Sequence, residues 1–237
     1  MNWPVLIPDL HGRSDLLDVV LTAYPDRPLV FLGDLVDRGP DAPGVVARVR
    51  ALVESGRATL CLGNHDHLFA HGMRTKALWN LQTVFQWPDL AAGRADAEWL
   101  LEHGVHWHRV GHVYLSHAAP HVPGSGGWGA NTHPDHLWGR PDVERKLGRN
   151  PLPRGCTLAV HGHTPTRTMR GDRADLPLLL TWPDGTQAVY LDTYAWKSGV
   201  LATLDLADLG AQLHTVDGSR PAARLPVGEH TALARLT

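Results

Sequence analysis

The sequence predicts an α/β fold in which helices cover the faces of a sheet. Two observations carry this expectation. Over the first hundred residues, short apolar runs alternate with segments of helical periodicity, as a sheet covered by helices requires. From about residue 105 the pattern changes to short apolar runs separated by Gly, Asp and Pro, which read as successive strands.

The elements follow in order. Residues 5–7, VLI, read as a first strand. SDLLDVVLTA then places Leu16, Leu17, Val20 and Leu21 at helical spacing, with Ser14 as the expected N-cap. PLVFL is a second strand. APGVVARVRALVESG puts Val45, Val46, Val49, Leu52 and Val53 on one helical face, and Gly56 lies just past the end. ATLCL is a third strand, and HLFAHGM opens another helix. VHWHRVGHVYLSH reads as two strands around a turn at Gly111. TLAV (157–160), LPLLLTW, QAVYLD and GVLATLDL are further strands, with an Asp184-Gly185 turn between the second and third of these. Residues 120–154 are rich in Pro, Gly, His and Trp and read as a long irregular segment of the kind that carries function. The tail from Gly218 is Pro- and Ala-rich and is expected to be loosely held.

Composition narrows the classes. The chain has 237 residues, 43% of them hydrophobic and 19% charged, which suffices for one globular domain over 1–237. A net charge of −2 provides no electrostatic footprint for nucleic acid or an acidic membrane. No apolar run reaches 18 residues, so no spanning helix is expected. The first residues lack the basic region of a secretory signal. Cys61 and Cys156 each sit in an apolar run and read as buried reduced thiols, which fits a cytoplasmic location.

The chemistry gathers where strands end. Asp9 and His11 follow the first strand, and Gly33, Asp34, Asp37 and Arg38 follow the second. Gly63, Asn64, His65 and Asp66 follow the third, His117 follows VYLS, and His161, Gly162 and His163 follow LAV. In open α/β sheets, the C-terminal edge of the strands is where ligands bind. Carboxylates crowded into a dry crevice repel one another unless cations sit between them. Imidazole, carboxylate and amide oxygen without thiolate suit Mn²⁺, Fe or Zn²⁺.

These segments, PDLHG (8–12), GDLVDRG (33–39), GNHD (63–66), SHAAP (116–120) and HGHTP (161–165), resemble the calcineurin-like metallophosphoesterases. Within them the match is to the phosphoprotein phosphatase branch, which includes bacterial and phage serine/threonine phosphatases and symmetrical dinucleoside tetraphosphatases. The resemblance covers roughly residues 3–206 and implies a β-sandwich flanked by helices. It implies two divalent metal ions, Mn²⁺ as the first choice, one on Asp9, His11 and Asp34 and the other on Asp34, Asn64, His117 and His163. It also implies His65 as general acid held by Asp37, and Arg38 and Arg140 as phosphate clamps. His161 is ambiguous, because relatives outside this branch use both histidines of a similar pair. The other histidines read as surface or packing residues, with His121 near enough to His117 to be a further candidate. Trp128 and Trp138 fit loop packing or a wall for the substrate equally well.

Three positions depart from the family pattern: Pro8 stands for Gly, Asp66 for Glu, and Tyr194 for the Gly of a DTGA loop. The leading expectation is hydrolysis of a phosphomonoester on Ser or Thr of a phosphorylated protein, or of another small phosphoester, because residues 120–154 carry only a modest surplus of positive charge for holding a long polyanion. The alternatives are a symmetrical dinucleoside tetraphosphatase and an inactive partner-binding scaffold. A nuclease is disfavoured, since the chain lacks a basic groove and the GHxH motif.

Overall fold

The computed structural model describes residues 3–77, 80–119, 135–141 and 152–224. Two sheets form a sandwich flanked by helices. The first has six strands, in the order β11-β10-β9-β1-β2-β3, and the second has five, in the order β4-β5-β6-β8-β7. In the first, β1 (Val5–Ile7), β2 (Leu29–Phe31) and β3 (Ala58–Leu60) run parallel, with β9 (Leu201–Asp205) antiparallel to β1. In the second, β5 (Val113–Ser116), β6 (Leu158–His161) and β8 (Gln187–Tyr190) run parallel. Antiparallel β4 (Trp107–Val110) and β7 (Leu178–Thr181) form its edges.

The two-residue period of a strand assigns each side chain to a layer. Val5 and Ile7 of β1 face the helices, while Leu6 faces the second sheet. Leu29 and Phe31 of β2 repeat this, with Val30 facing inward. From the other side, Val113, Leu115, Leu158, Val160 and Val189 fill the space between the sheets. Tyr114, Ala159, Ala188 and Tyr190 alternate with them onto the outer face of the second sheet. A one-residue slip would exchange the residues of the two layers, so the packing of both faces specifies the register.

Helix α1 (Ser14–Ala23) buries Leu16, Leu17 and Val20, and α2 (Ala42–Glu54) buries Val45, Val46 and Val49, all against the first sheet. Ser14 is not the N-cap of α1. Arg13 holds that position, and the Ser14 hydroxyl donates to Asp41 Oδ2 at 2.5 Å. The charged carboxylate of Asp41, which caps α2 through Gly44 N at 2.9 Å, is the stronger acceptor. Helix α3 (Asn64–Thr75) starts earlier than HLFAHGM suggested, directly at the polar residues after β3.

A further helix, α5 (Leu90–His103), follows the short α4 (Leu81–Val84). The tail expectation is corrected in part. Gly218–Arg224 forms β11, an antiparallel partner of β10 (Gly210–Thr215), because its backbone groups complete the sheet edge. Residues 225–237 lie outside the described residues, as do His121 and Trp128 and most of the 120–154 segment. Within that segment, Asp135–Trp138 is a short helix. Cys61 and Cys156 are free and buried. No helix among the described residues is long and apolar enough to cross a membrane.

Candidate active site

The parallel strands of both sheets point their C-terminal ends at one place, and the loops beyond them are tied across the gap. Leu10 N and His11 N both donate to Asp34 O, at 3.1 and 2.8 Å, which joins the loop after β1 to the loop after β2. The next junction is tighter. Gly33 has φ +92°, and a Cβ there would strike the backbone of Gly63, so only glycine lets the loops after β2 and β3 touch. Asp66 completes this corner from inside α3, accepting from Leu35 N at 2.8 Å, Val36 N at 3.3 Å and Gly63 N at 3.0 Å. The aspartate standing for the family's glutamate therefore binds three loop amides.

His11, Asp34, Asp37, Arg38, His163 and Tyr194 all have positive φ, between 45° and 70°. Left-handed backbone in non-glycine residues is disfavoured, and its concentration here marks a functional site held by the surrounding fold.

Asp34 lies at the centre. Its Oδ2 is 3.4 Å from His11 Nε2, and its Oδ1 is 3.4 Å from His117 Nε2. Donor atoms of Asp34 gather with those of His11 and His65 on one side, and with those of His117 and His163 on the other, each group within 4.8 Å. Backbone carbonyls orient both imidazoles: His11 Nδ1 donates to Val36 O at 2.9 Å and His117 Nδ1 to Leu32 O at 2.8 Å. That leaves each Nε2 lone pair facing inward, the arrangement usual for metal-ligating histidine. His117 Nε2 then meets Asn64 Oδ1 at 3.0 Å and His163 Nδ1 at 3.1 Å, so acceptor atoms converge on acceptor atoms. His163 Nε2 is buried with no hydrogen-bond partner in the described structure. A divalent cation fits such a donor set.

Electrostatics agree. Burial alone would raise the Asp34 pKa, but His117, His11 and the other nearby imidazoles reverse it to a net lowering. Burial lowers His11 to about 4 and His163 to about 2, keeping both rings neutral and able to ligate. Asp9 is raised well above its ordinary value by burial, by Asp192 and by Asp34. Its two oxygens accept from His163 N at 3.0 Å each, and it reaches that amide because residue 162 is glycine, where a Cβ would collide with Asp9 Oδ2. Asp9 is thus beside the Asp34 cluster but lies outside both groups of atoms within 4.8 Å, and His65 is in one of them.

The residues expected as general acid and its partner lie side by side. His65 Nδ1 lies 2.6 Å from Asp37 Oδ2, while Arg38 Nη2 lies 3.0 Å from His65 Nε2. Burial pulls the His65 pKa down, but the hydrogen bond with Asp37 and the charge of Asp34 leave it raised overall. Arg140, from the short Asp135–Trp138 helix and its exit, donates to Thr164 Oγ1 at 3.1 Å and to His163 O at 3.3 Å. Arg38 and Arg140 line the same pocket of about 340 Å³, along with Trp138, Asp192 and Tyr194. Trp138 is 46% exposed, its ring edge-on to His163, and so forms a wall of this pocket. His161 does not enter it. It is fully buried, with Nδ1 3.0 Å from Ser116 Oγ and its ring against Tyr114 and Tyr190, a packing position behind the site.

Four contributors escaped sequence reading. Asp192, just beyond β8, is buried in the pocket and raised to about 7, chiefly by burial and by the charge of Asp34. It obeys the same strand-end rule as the other residues and could have been found by it. Asn80 and Thr83 could not. They approach from α4 and its N-cap, and both donate to Asp37 Oδ1, Asn80 at 2.9 Å. Gln86 fixes the neighbouring loop, donating to Gly39 O at 3.0 Å and accepting from Ala42 N at 2.7 Å.

A two-sheet sandwich with acids and imidazoles converging at the strand ends defines a metal-dependent phosphoesterase site, and the comparisons place the chain accordingly. Residues 5–182 match the family described as calcineurin-like phosphoesterase, and the chain belongs to that family. A relative from Ralstonia nicotianae, "Bis(5'-nucleosyl)-tetraphosphatase, symmetrical", is 43% identical over 108 residues, which is 45% of this chain and 35% of the relative. The match therefore spans about a third of that relative's length. Among solved structures, a metallophosphoesterase from Sphaerobacter thermophilus superposes with a TM-score of 0.59 at 16% identity, covering 93% of this chain and 88% of that one. A protein serine/threonine phosphatase from Saccharomyces cerevisiae gives 0.56 at 13% identity, covering 94% and 80%. Both likenesses are of fold.

Proposed function

We propose that this chain hydrolyses dinucleoside tetraphosphates symmetrically, with two divalent cations and the residues of the pocket around Asp34. The observation that carries the substrate is the 43% identity, over 108 residues, to a symmetrical bis(5'-nucleosyl)-tetraphosphatase. The serine/threonine phosphatase reading has support only at the level of fold, at 13% identity. An inactive scaffold is disfavoured, because the acids, imidazoles and both arginines are present and gathered in one place.

The cations would be held by Asp9, His11 and Asp34 on one side and by Asp34, Asn64, His117 and His163 on the other, with Asp34 shared. When bound, they supply Lewis-acid polarisation of the phosphoryl oxygens and lower the pKa of the attacking water. Arg38 and Arg140 grip non-bridging oxygens and offset charge that grows in the transition state. In the free pocket Arg38 donates to the His65 Nε2 lone pair. A phosphate that draws Arg38 to itself frees Nε2 to carry a proton, and that proton passes to the leaving phosphate oxygen. Asp37 fixes the tautomer by accepting from Nδ1 and stabilises the imidazolium before transfer.

Rates with diadenosine tetraphosphate, a phosphothreonine peptide and p-nitrophenyl phosphate, on protein reconstituted with Mn²⁺, test the reading. The expected result is two ADP per dinucleotide and the highest kcat/KM for the dinucleotide. A kcat/KM for the phosphopeptide well above that for the dinucleotide would contradict it.

A further inference from the structure

A second concavity, of about 710 Å³, is linked to the catalytic pocket through contacts of its cations with Tyr194. Arg167, Arg170, Arg173 and Lys197 line it, with Thr168 and Met169 between them. Tyr194, which lines the catalytic pocket, is the contact between the two. The Arg167 guanidinium and the Lys197 ammonium, both of which line the groove, each lie 5.9 Å from its ring centroid. Aromatic and cationic groups then continue back to the reaction centre: Tyr194 packs edge-on to Trp196 at 5.1 Å, and the Arg38 guanidinium lies 5.5 Å from the Trp196 ring.

The charges in this groove are only partly spoken for. Arg170 forms a two-pronged pair with Asp172, at 2.9 and 2.7 Å, and Arg167 lies 3.4 Å from Asp175. Arg173 and Lys197 are exposed and make no ion pair with a described residue. Four cations against two carboxylates, beside a pocket that already holds Arg38 and Arg140, suit an extended polyanion longer than one phosphate. The Tyr194 ring, against which two of these cations lie, suits a base stacked alongside.

We propose that this groove is a second subsite, which takes the phosphates and nucleoside on the side of the substrate remote from the attacked phosphorus. The proposal rests on the dinucleoside polyphosphate reading above and deepens it. In it, Arg173 and Lys197 attract the distal phosphates, and Tyr194 is the hinge of the path between the two subsites. They act on binding and take no part in bond cleavage.

The double variant Arg173→Glu, Lys197→Glu tests this, since both side chains are exposed and away from the core. Two readouts are compared on Mn²⁺-loaded protein: KM for diadenosine tetraphosphate, and inhibition of p-nitrophenyl phosphate hydrolysis by inorganic tripolyphosphate and by orthophosphate. The expected result is a roughly tenfold rise in KM for the dinucleotide and in the tripolyphosphate inhibition constant. Hydrolysis of p-nitrophenyl phosphate and inhibition by orthophosphate should be unchanged, because one phosphate does not reach the groove. An unchanged tripolyphosphate constant would overturn the subsite whatever the natural substrate. Failure of the unmodified protein to cleave the dinucleotide, with the tripolyphosphate effect intact, would instead reject the substrate reading and keep the polyanion groove.

Discussion

The two sheets supply unlike halves of the site. Loops after the first sheet's strands bring Asp9, His11, Asp34, Asp37, Arg38, Asn64 and His65, while those after the second bring mainly His117, His163 and Asp192. The first half is locked to itself by Asp66, by the paired amides on Asp34 O and by the Gly33–Gly63 contact. The second half is oriented by the first. His117 takes its tautomer from Leu32 O, and His163 N rests on Asp9. A crowded carboxylate set thus acts as a template on which the imidazoles are placed, and among the described residues Asp34 is the side chain common to both three-residue donor groups.

Removing that link should have the largest effect. Asp34→Asn removes the negative charge at the junction and replaces one of its two oxygens by an NH₂ group, and we expect hydrolysis to fall to near background and metal content, measured by mass spectrometry of the purified protein, to drop with it. Damage confined to the first half should be smaller. His65→Asn is expected to lower kcat by roughly 10²–10⁴-fold, the range for loss of general-acid help. Aryl phosphates, whose leaving groups need little protonation, should suffer less than alkyl phosphates, and equal losses would assign the acid elsewhere.

One step further from the chemistry, Thr83 reaches the same dyad through Asp37. Thr83→Val removes a hydrogen bond to a charged group, worth about 1.5–3 kcal/mol, so a kcat loss of roughly tenfold is expected. Thr83→Ser should restore most of it. The loss should again be larger for alkyl than for aryl leaving groups, which a purely structural defect would not produce.

The smallest effect belongs to a region that serves neither half. His214 on β10 is buried between the hydroxyls of Thr203 and Ser219, at 2.9 and 2.7 Å, and burial lowers it to about 4. Its unfolded value is near 6.5, so as pH falls the unfolded chain takes up the proton first. Stability is then lost between about pH 6.5 and 4 and is unaffected above. His214→Gln should flatten that part of a Tm-against-pH curve and leave activity at pH 7 unchanged.

Much of this was legible in the sequence, for physical reasons that differ by element. The parallel strands announced themselves through β-branched and leucine-rich runs, and the site through Asp, His or Asn placed just past them. Those signals are local, because the strand and its terminal ligand are neighbours in the chain. Asn80, Thr83 and Gln86 were invisible, since nothing near them shows that α4 will fold back onto residues 37–42. Strand β11 was hidden by a composition that suits a loose tail, with Pro221 inside it, and its place at the edge of the sheet explains why a proline is tolerated there. His161 was ambiguous in the sequence, two residues from His163. Only its position in β6, pointing away from the strand-end edge onto Tyr114 and Tyr190, separates it from His163.

The central claim is that one carboxylate, Asp34, joins donor sets from the two sheets into a single two-cation site. Electron paramagnetic resonance of the protein titrated with Mn²⁺ tests it most directly. The account predicts that binding saturates at two ions per chain and that the second ion converts the six-line spectrum of isolated Mn²⁺ into that of an exchange-coupled pair. Two bound ions that keep independent six-line spectra, or saturation at one ion per chain, would contradict it.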